Sequence, residues 1–132
     1  MAINSAQIVV IMLGGSLGAV MRFIVSTTIN EKIAGNFPYG TLTVNVIGSF
    51  IMGFLAMWLV DNFGLNPLAR LGVFVGFLGA FTTFSTFSME TLNLIEEGLI
   101  SRALLNMLVN VFLSVFAVWL GVLLGEMISS NE

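Results

Sequence analysis

"LGVFVGFLGAFTTFSTFSM", residues 71–89, holds no charged residue, and it is long enough for one helix to cross the hydrocarbon core of a bilayer. Its first half is glycine and apolar side chains. Its second half sets Thr82, Thr83, Ser85, Thr86 and Ser88 among Phe81, Phe84 and Phe87, rings that recur every third residue. Three more charge-free runs, residues 1–21, 33–60 and 103–125, are of comparable length.

The whole composition agrees with this reading. Of 132 residues 58 % are hydrophobic and 8 % charged, with a mean hydropathy of +1.06, whereas a soluble domain carries about 25 % charged residues. Four spans with short connections leave no room for an extramembrane domain. The expected fold is an all-α membrane protein, one four-helix transmembrane domain over residues 1–132, with helices at about residues 5–30, 39–60, 67–96 and 99–128. The first run carries no Lys or Arg ahead of its apolar part, so it lacks the basic region of a secretory signal and reads as a retained helix.

Several function classes fall away. The chain has no cysteine and no histidine, which removes disulfides, thiolate chemistry, and the usual general base, metal ligand and proton relay. No carboxylates pair inside a span, so neither an activated nucleophile nor a metal site can be assembled, and the chain does not read as an enzyme. Its four cations are scattered and make no basic patch, so no nucleic-acid partner is expected.

The same cations bear on topology. One membrane face holds only Arg70, and the other holds Lys32 and Arg102, with Arg22 late in the first helix. Orientation follows an excess of Lys and Arg in cytoplasmic loops. A difference this small leaves two readings open: a single orientation, or insertion both ways, which permits an antiparallel homodimer.

Small residues lie four apart at Gly14 and Gly18, Ser49 and Gly53, Gly72 and Gly76, and Gly121 and Gly125, a spacing that lets membrane helices approach closely. Four helices packed that tightly scarcely enclose a pore, so any pathway is expected along a subunit interface. Polar residues also fall on stripes. Thr41, Asn45, Gly48, Ser49 and Met52 share a face of the second helix; Asn106, Asn110 and Ser114 share one of the fourth; Thr82, Ser85 and Thr86 share one of the third. Such residues are either interhelical hydrogen bonds or a polar pathway. Amides and hydroxyls donate without carrying charge, and a phenyl ring has a positive edge. Together they can compensate an anion for lost water without trapping it, although phenylalanines at helical spacing also serve as packing. The third helix either runs straight or breaks near Gly79–Thr82, where glycines and back-bonding hydroxyls weaken it. A break would free carbonyls that a cation could satisfy. Glu90, about a turn from the end of that helix, reads as a water-facing or capping group.

These residues resemble the Fluc family of small dual-topology fluoride channels. "GGSLGAVMRF" is similar to its first-helix segment, "PYGTLTVNVIGSF" to its second-helix motif and "GFLGAFTTFSTFSMET" to its most specific one; the match covers nearly the whole chain. The resemblance implies an antiparallel homodimer in the prokaryotic cell membrane, with a third helix broken near its middle and two fluoride pathways at the interface. It assigns Phe84, Phe87, Asn45, Ser85, Thr86, Asn110 and Ser114 to the pathway and Arg22 to the pore entrance. It assigns the carbonyls of Gly79 and Thr82 to a central structural sodium ion. Ala80 departs from a commonly found second glycine, which bears on the shape of the break. The implied mechanism is passive, selective fluoride export. A small proton-coupled multidrug transporter is the rival of similar size, but it needs a carboxylate inside the first helix, which this chain lacks; an accessory subunit is the third reading.

Overall fold

The computed structural model describes residues 3–130. Among them four segments are long and apolar enough to cross a membrane: Ser5–Lys32, Tyr39–Leu59, Pro67–Glu96 and Ile100–Ser129. No strand occurs among the described residues. The protein is an all-helical, four-span membrane protein.

Local chemistry sets the ends of these elements. Helix α1 (Ser5–Lys32) opens on a reciprocal cap: Asn4 Oδ1 accepts from the Gln7 N–H at 2.9 Å, and Gln7 Oε1 accepts from the Asn4 N–H at 3.0 Å. Two of the donors that a helix start leaves free are thereby satisfied. Helix α2 (Tyr39–Phe63) ends at Gly64, whose φ of 49° is left-handed, a conformation that suits a residue without Cβ. The third span starts with α3 (Pro67–Arg70), capped by the Asn66 side chain on the Leu68 N–H at 2.9 Å. Pro67 fits there because the first helical N–H has no partner in any case.

The third span then departs from regular geometry. From α3 it passes into a π-helical stretch, Leu71–Leu78, and closes with the short α4 (Gly79–Phe81). Thr82 and Thr83 are extended, with ψ of 158° and 114°. Helix α5 (Phe84–Glu96) follows, and α6 (Ile100–Ser129) completes the chain. The interruption falls near the middle of the 30-residue span. No proline lies within residues 71–89, so no proline causes it.

Helix α1 packs on Leu71–Leu78, and α2 packs on α6. Backbone touches backbone at both crossings. A Cβ on Gly18 would run into the Phe77 carbonyl, one on Gly53 into that of Val118, and one on Gly121 into that of Phe50. In lipid such van der Waals contact replaces the hydrophobic drive that joins helices in water. Few side chains are fully buried, and one of them, Asn106, is polar. Leu13 and Leu17 on α1, and Leu108 and Phe112 on α6, are exposed, as an apolar solvent allows.

Candidate functional site

The site is organised around Thr83. In an extended residue the N–H and C=O point the same way, as in one rung of an antiparallel pair. Asn45, on α2, meets both: its Oδ1 accepts from the Thr83 N–H at 2.8 Å, and its Nδ2 donates to the Thr83 carbonyl at 3.1 Å. A side-chain amide thus stands where a neighbouring strand would. The Thr83 hydroxyl in turn caps α5, accepting from the Thr86 N–H at 3.1 Å and donating to Thr86 Oγ1 at 3.0 Å. Ser85 Oγ lies 3.3 Å from the same hydroxyl.

These bonds divert two donors from helical duty. In a continuous helix the Thr83 N–H would reach the Gly79 carbonyl and the Thr86 N–H that of Thr82. Asn45 and Thr83 take them instead, so the Gly79 and Thr82 carbonyls are released from the helix ladder. Gly79 is exposed and Thr82 half-buried. No group of three or more His, Cys, Asp or Glu suited to a metal occurs among the described residues.

Five residues that the sequence singles out come together at the break. Asn45, Phe84, Phe87, Asn110 and Ser114 line one cavity of about 360 Å³, with Thr82 and Thr83 in its wall. The Phe84 and Phe87 rings meet edge-on, centroids 5.2 Å apart at 61°. Their surroundings differ sharply: Phe87 is 6 % exposed and Phe84 74 %. The Ser114 hydroxyl is buried and finds no hydrogen-bond partner within the protomer. Arg22 and Thr86 line a second cavity of about 230 Å³, which shares Thr83 with the first. Ser85 is exposed and lines neither.

The asparagines hold more than the sequence suggests. A primary amide has two N–H donors. Asn45 spends both, on the Thr83 carbonyl and on Asn110 Oδ1 at 3.1 Å. Asn110 spends both on Asn106, reaching its carbonyl at 3.1 Å and its Oδ1 at 2.8 Å. Asn106 then donates to Thr91 Oγ1 at 2.9 Å, and the Thr91 hydroxyl donates to the Phe87 carbonyl at 2.8 Å. Thr91 carries no role in the sequence reading, and Asn106 figures there only as one of the polar stripe on the fourth helix. Their spacing, four residues from Phe87 and four from Asn110, was visible; that α5 and α6 bring them together was not.

Glu90 also departs from expectation. Rather than capping its own helix or simply facing water, it ties α5 to α2: its Oε1 accepts from the Thr41 hydroxyl at 2.8 Å. Its Oε2 is buried without a partner in the protomer, beside a cavity of about 460 Å³ that Asn30 and Asn93 also line.

Fold and site together define a small polytopic membrane protein with uncharged donors and aromatic rings gathered at a mid-span break. A family model described as CrcB-like protein, Camphor Resistance (CrcB), matches residues 9–122, and the chain belongs to that family. It is 49 % identical over 122 residues to the fluoride-specific ion channel FluC of Methylococcus capsulatus, covering 92 % of this chain and 54 % of that one. It is 48 % identical over 122 residues to FluC of Magnetococcus marinus, covering 92 % of this chain and 99 % of that one. With FluC of Hydrogenovibrio crunogenus it shares 45 % over 120 residues, 91 % of each chain. The chain therefore spans about half the length of the Methylococcus relative and nearly all of the other two. These relatives bear the name of ion channels, and this chain is likewise a multi-pass protein of the prokaryotic cell membrane and not an enzyme.

Proposed function

We propose that this protein is a passive, selective fluoride channel that works as an antiparallel homodimer. The observation that carries the reading is the groove at the break. The edge-on rings of Phe84 and Phe87 and the unpartnered hydroxyl of Ser114 line one wall system at membrane depth. A donor with no partner and positive ring edges can replace part of an anion's hydration, and the absence of a fixed cation among them lets it leave again. The names of the relatives supply the ion. Asn45 and Asn110 belong to the path as its frame, because all four of their amide hydrogens are committed within the protomer. Thr86, Ser85 and Arg22 extend the polar track beyond Thr83, with Arg22 as the electropositive entrance.

A second copy is the natural cover for the exposed side of the break. Phe84, Ser85 and Thr86 are all exposed, as is Gly79. Hydroxyls and free carbonyls do not face hydrocarbon without cost. The small charge bias between faces suits insertion in both orientations. The carbonyls of Gly79 and Thr82 fit a sodium ion: they are neutral oxygens released from the helix on either side of Phe81, one residue exposed and the other half-buried, and an identical pair from a second copy would add to them. When bound, the ion would satisfy those carbonyls and fix the shape of the break.

The experiment is efflux from liposomes holding only this purified protein, loaded with potassium fluoride and triggered with valinomycin. Rapid loss of fluoride, with chloride retained in a parallel preparation, is the expected result. Retention of fluoride by verified dimers would overturn the proposal.

A further inference from the structure

The hydrogen-bonded chain from Thr83 to Phe87 has a polarity that its two ends dictate independently. At one end the Thr83 N–H can only donate, so Asn45 must turn its oxygen to it. The Asn45 NH2 then faces the Thr83 carbonyl and Asn110 Oδ1. At the other end the Phe87 carbonyl can only accept, so the Thr91 hydroxyl must donate to it. Thr91 Oγ1 is left as an acceptor, which turns the Asn106 NH2 toward it and the Asn106 oxygen toward Asn110. Both ends require the same orientation of Asn110, with its NH2 toward Asn106 and its oxygen toward Asn45. An amide flipped anywhere in the series would set donor against donor or acceptor against acceptor. Thr91, Asn106 and Asn110 are all 6 % exposed or less, so no lipid or bulk water compensates such a fault.

We propose that Thr91 and Asn106 are positioning residues of the pathway: they fix the facing of the Asn110 and Asn45 amides and, through Asn45, the backbone of Thr83. The inference rests on the fluoride-channel reading for its functional consequence, but not for the chain itself. Neither residue lines the groove. Each acts through the next, across three elements: α5 holds Thr91, α6 holds Asn106 and Asn110, and α2 holds Asn45. The Phe87 carbonyl that ends the chain belongs to the residue whose ring lines the groove. Ring and break are thus set by one series of bonds.

The test is a double-mutant cycle between residues that neither touch nor share a partner. Thr91→Val is nearly isosteric and removes both the donor and the acceptor; it should slow fluoride efflux from dimers by about tenfold or more. Thr91→Ser keeps the hydroxyl and should restore most of the rate. In an Asn45→Ala background the Thr91→Val effect should largely vanish, because the amide that the chain orients is gone. Effects of independent sites add, so full additivity would overturn the proposal, as would unchanged efflux in Thr91→Val. Should Thr91→Val give no dimer, the cycle is run with Thr91→Ala. The same cycle read in melting temperature tests the chain apart from the ion carried. Coupling between Thr91 and Asn45 there supports it even if the wild-type protein moves no fluoride, and additivity there overturns it.

Discussion

Asn45 on α2 and Thr83 in the middle of the third span exchange two hydrogen bonds, at 2.8 and 3.1 Å, although they lie 38 residues apart in the chain. The break that the Thr83 hydroxyl holds from within is therefore held from outside by the Asn45 side chain. Asn45→Ala would leave the Thr83 N–H and Asn110 Oδ1 without partners and take one bond from the Thr83 carbonyl, which as the cap of α5 also accepts from the helix. Each orphaned buried group costs about 1–3 kcal/mol. The expected outcome is a clear fall in melting temperature in detergent, accompanied by slower but measurable fluoride efflux. A variant that melts like the wild type would mean that the break stands without Asn45.

Two neighbouring glycines on α1 make a sharper stability test. A Cβ on Gly18 would drive into the Phe77 carbonyl, a backbone atom that cannot swing aside, whereas one on Gly15 meets nothing closer than the Gly76 carbonyl at 3.9 Å. Gly18→Ala is expected to destabilise by about 1–3 kcal/mol, as overpacking does. Gly15→Ala is expected to be neutral or slightly stabilising, since Ala favours helix over Gly by about 1 kcal/mol. Thermal melts of the two variants side by side decide it, and equal losses would place the crossing elsewhere.

The spans were legible because lipid imposes a length and forbids charge, and residues 1–21, 33–60, 71–89 and 103–125 obey both conditions. The crossings were legible at Gly14, Gly18, Gly72 and Gly76, where four-residue spacing has one strong physical use. The break was not. Residues 71–89 contain no proline, and one of the two groups that hold the helix open, the Asn45 amide, lies on another span. Sequence spacing likewise treats Phe84 and Phe87 as equivalent rings three residues apart, yet on the first turn of α5 one is exposed and the other buried. Thr91 stayed hidden for the same reason, as did its link to Asn106. A threonine bonded back to the carbonyl four residues earlier is common in membrane helices, and nothing in the sequence says that its oxygen also receives an amide from α6.

Sodium binding should register as stability. A ligand that binds only the native dimer stabilises it by RT ln(1 + [L]/Kd). With Gly79 and Thr82 carbonyls as ligands, replacing sodium by choline at constant ionic strength should lower the melting temperature of the dimer. Restoring sodium should recover it in a saturable manner. A curve independent of sodium would remove the ion from the break.

Dual topology can be read with single cysteines, since the natural chain has none. Asn36 is exposed in the connection after α1, and Leu65 lies in the one before α3, which faces the other side of the membrane. With Arg70 set against Lys32 and Arg102, the charge difference is too small to enforce one orientation. Asn36→Cys and Leu65→Cys should each label with a membrane-impermeant maleimide in intact cells to a comparable fraction, and further on lysis. One-sided labelling of either position would rule out an antiparallel dimer.

The Phe84 and Phe87 rings allow conduction to be separated from folding. Phe84 is 74 % exposed in the protomer, so Phe84→Ile leaves no cavity within it and should change protomer stability by less than about 0.5 kcal/mol, as surface substitutions do. The positive ring edge disappears all the same, because an aliphatic side chain has no quadrupole. Fluoride efflux from Phe84→Ile dimers should therefore fall by about tenfold or more while the dimer persists on size exclusion. Phe87 is 6 % exposed, and truncating a buried Phe to Ala costs about 3–5 kcal/mol. A loss of flux in Phe87→Ala would thus come with a loss of fold and say little about the ion. Unchanged efflux in Phe84→Ile would take that ring out of the mechanism and leave the Phe87 ring and the Ser114 hydroxyl to line the path.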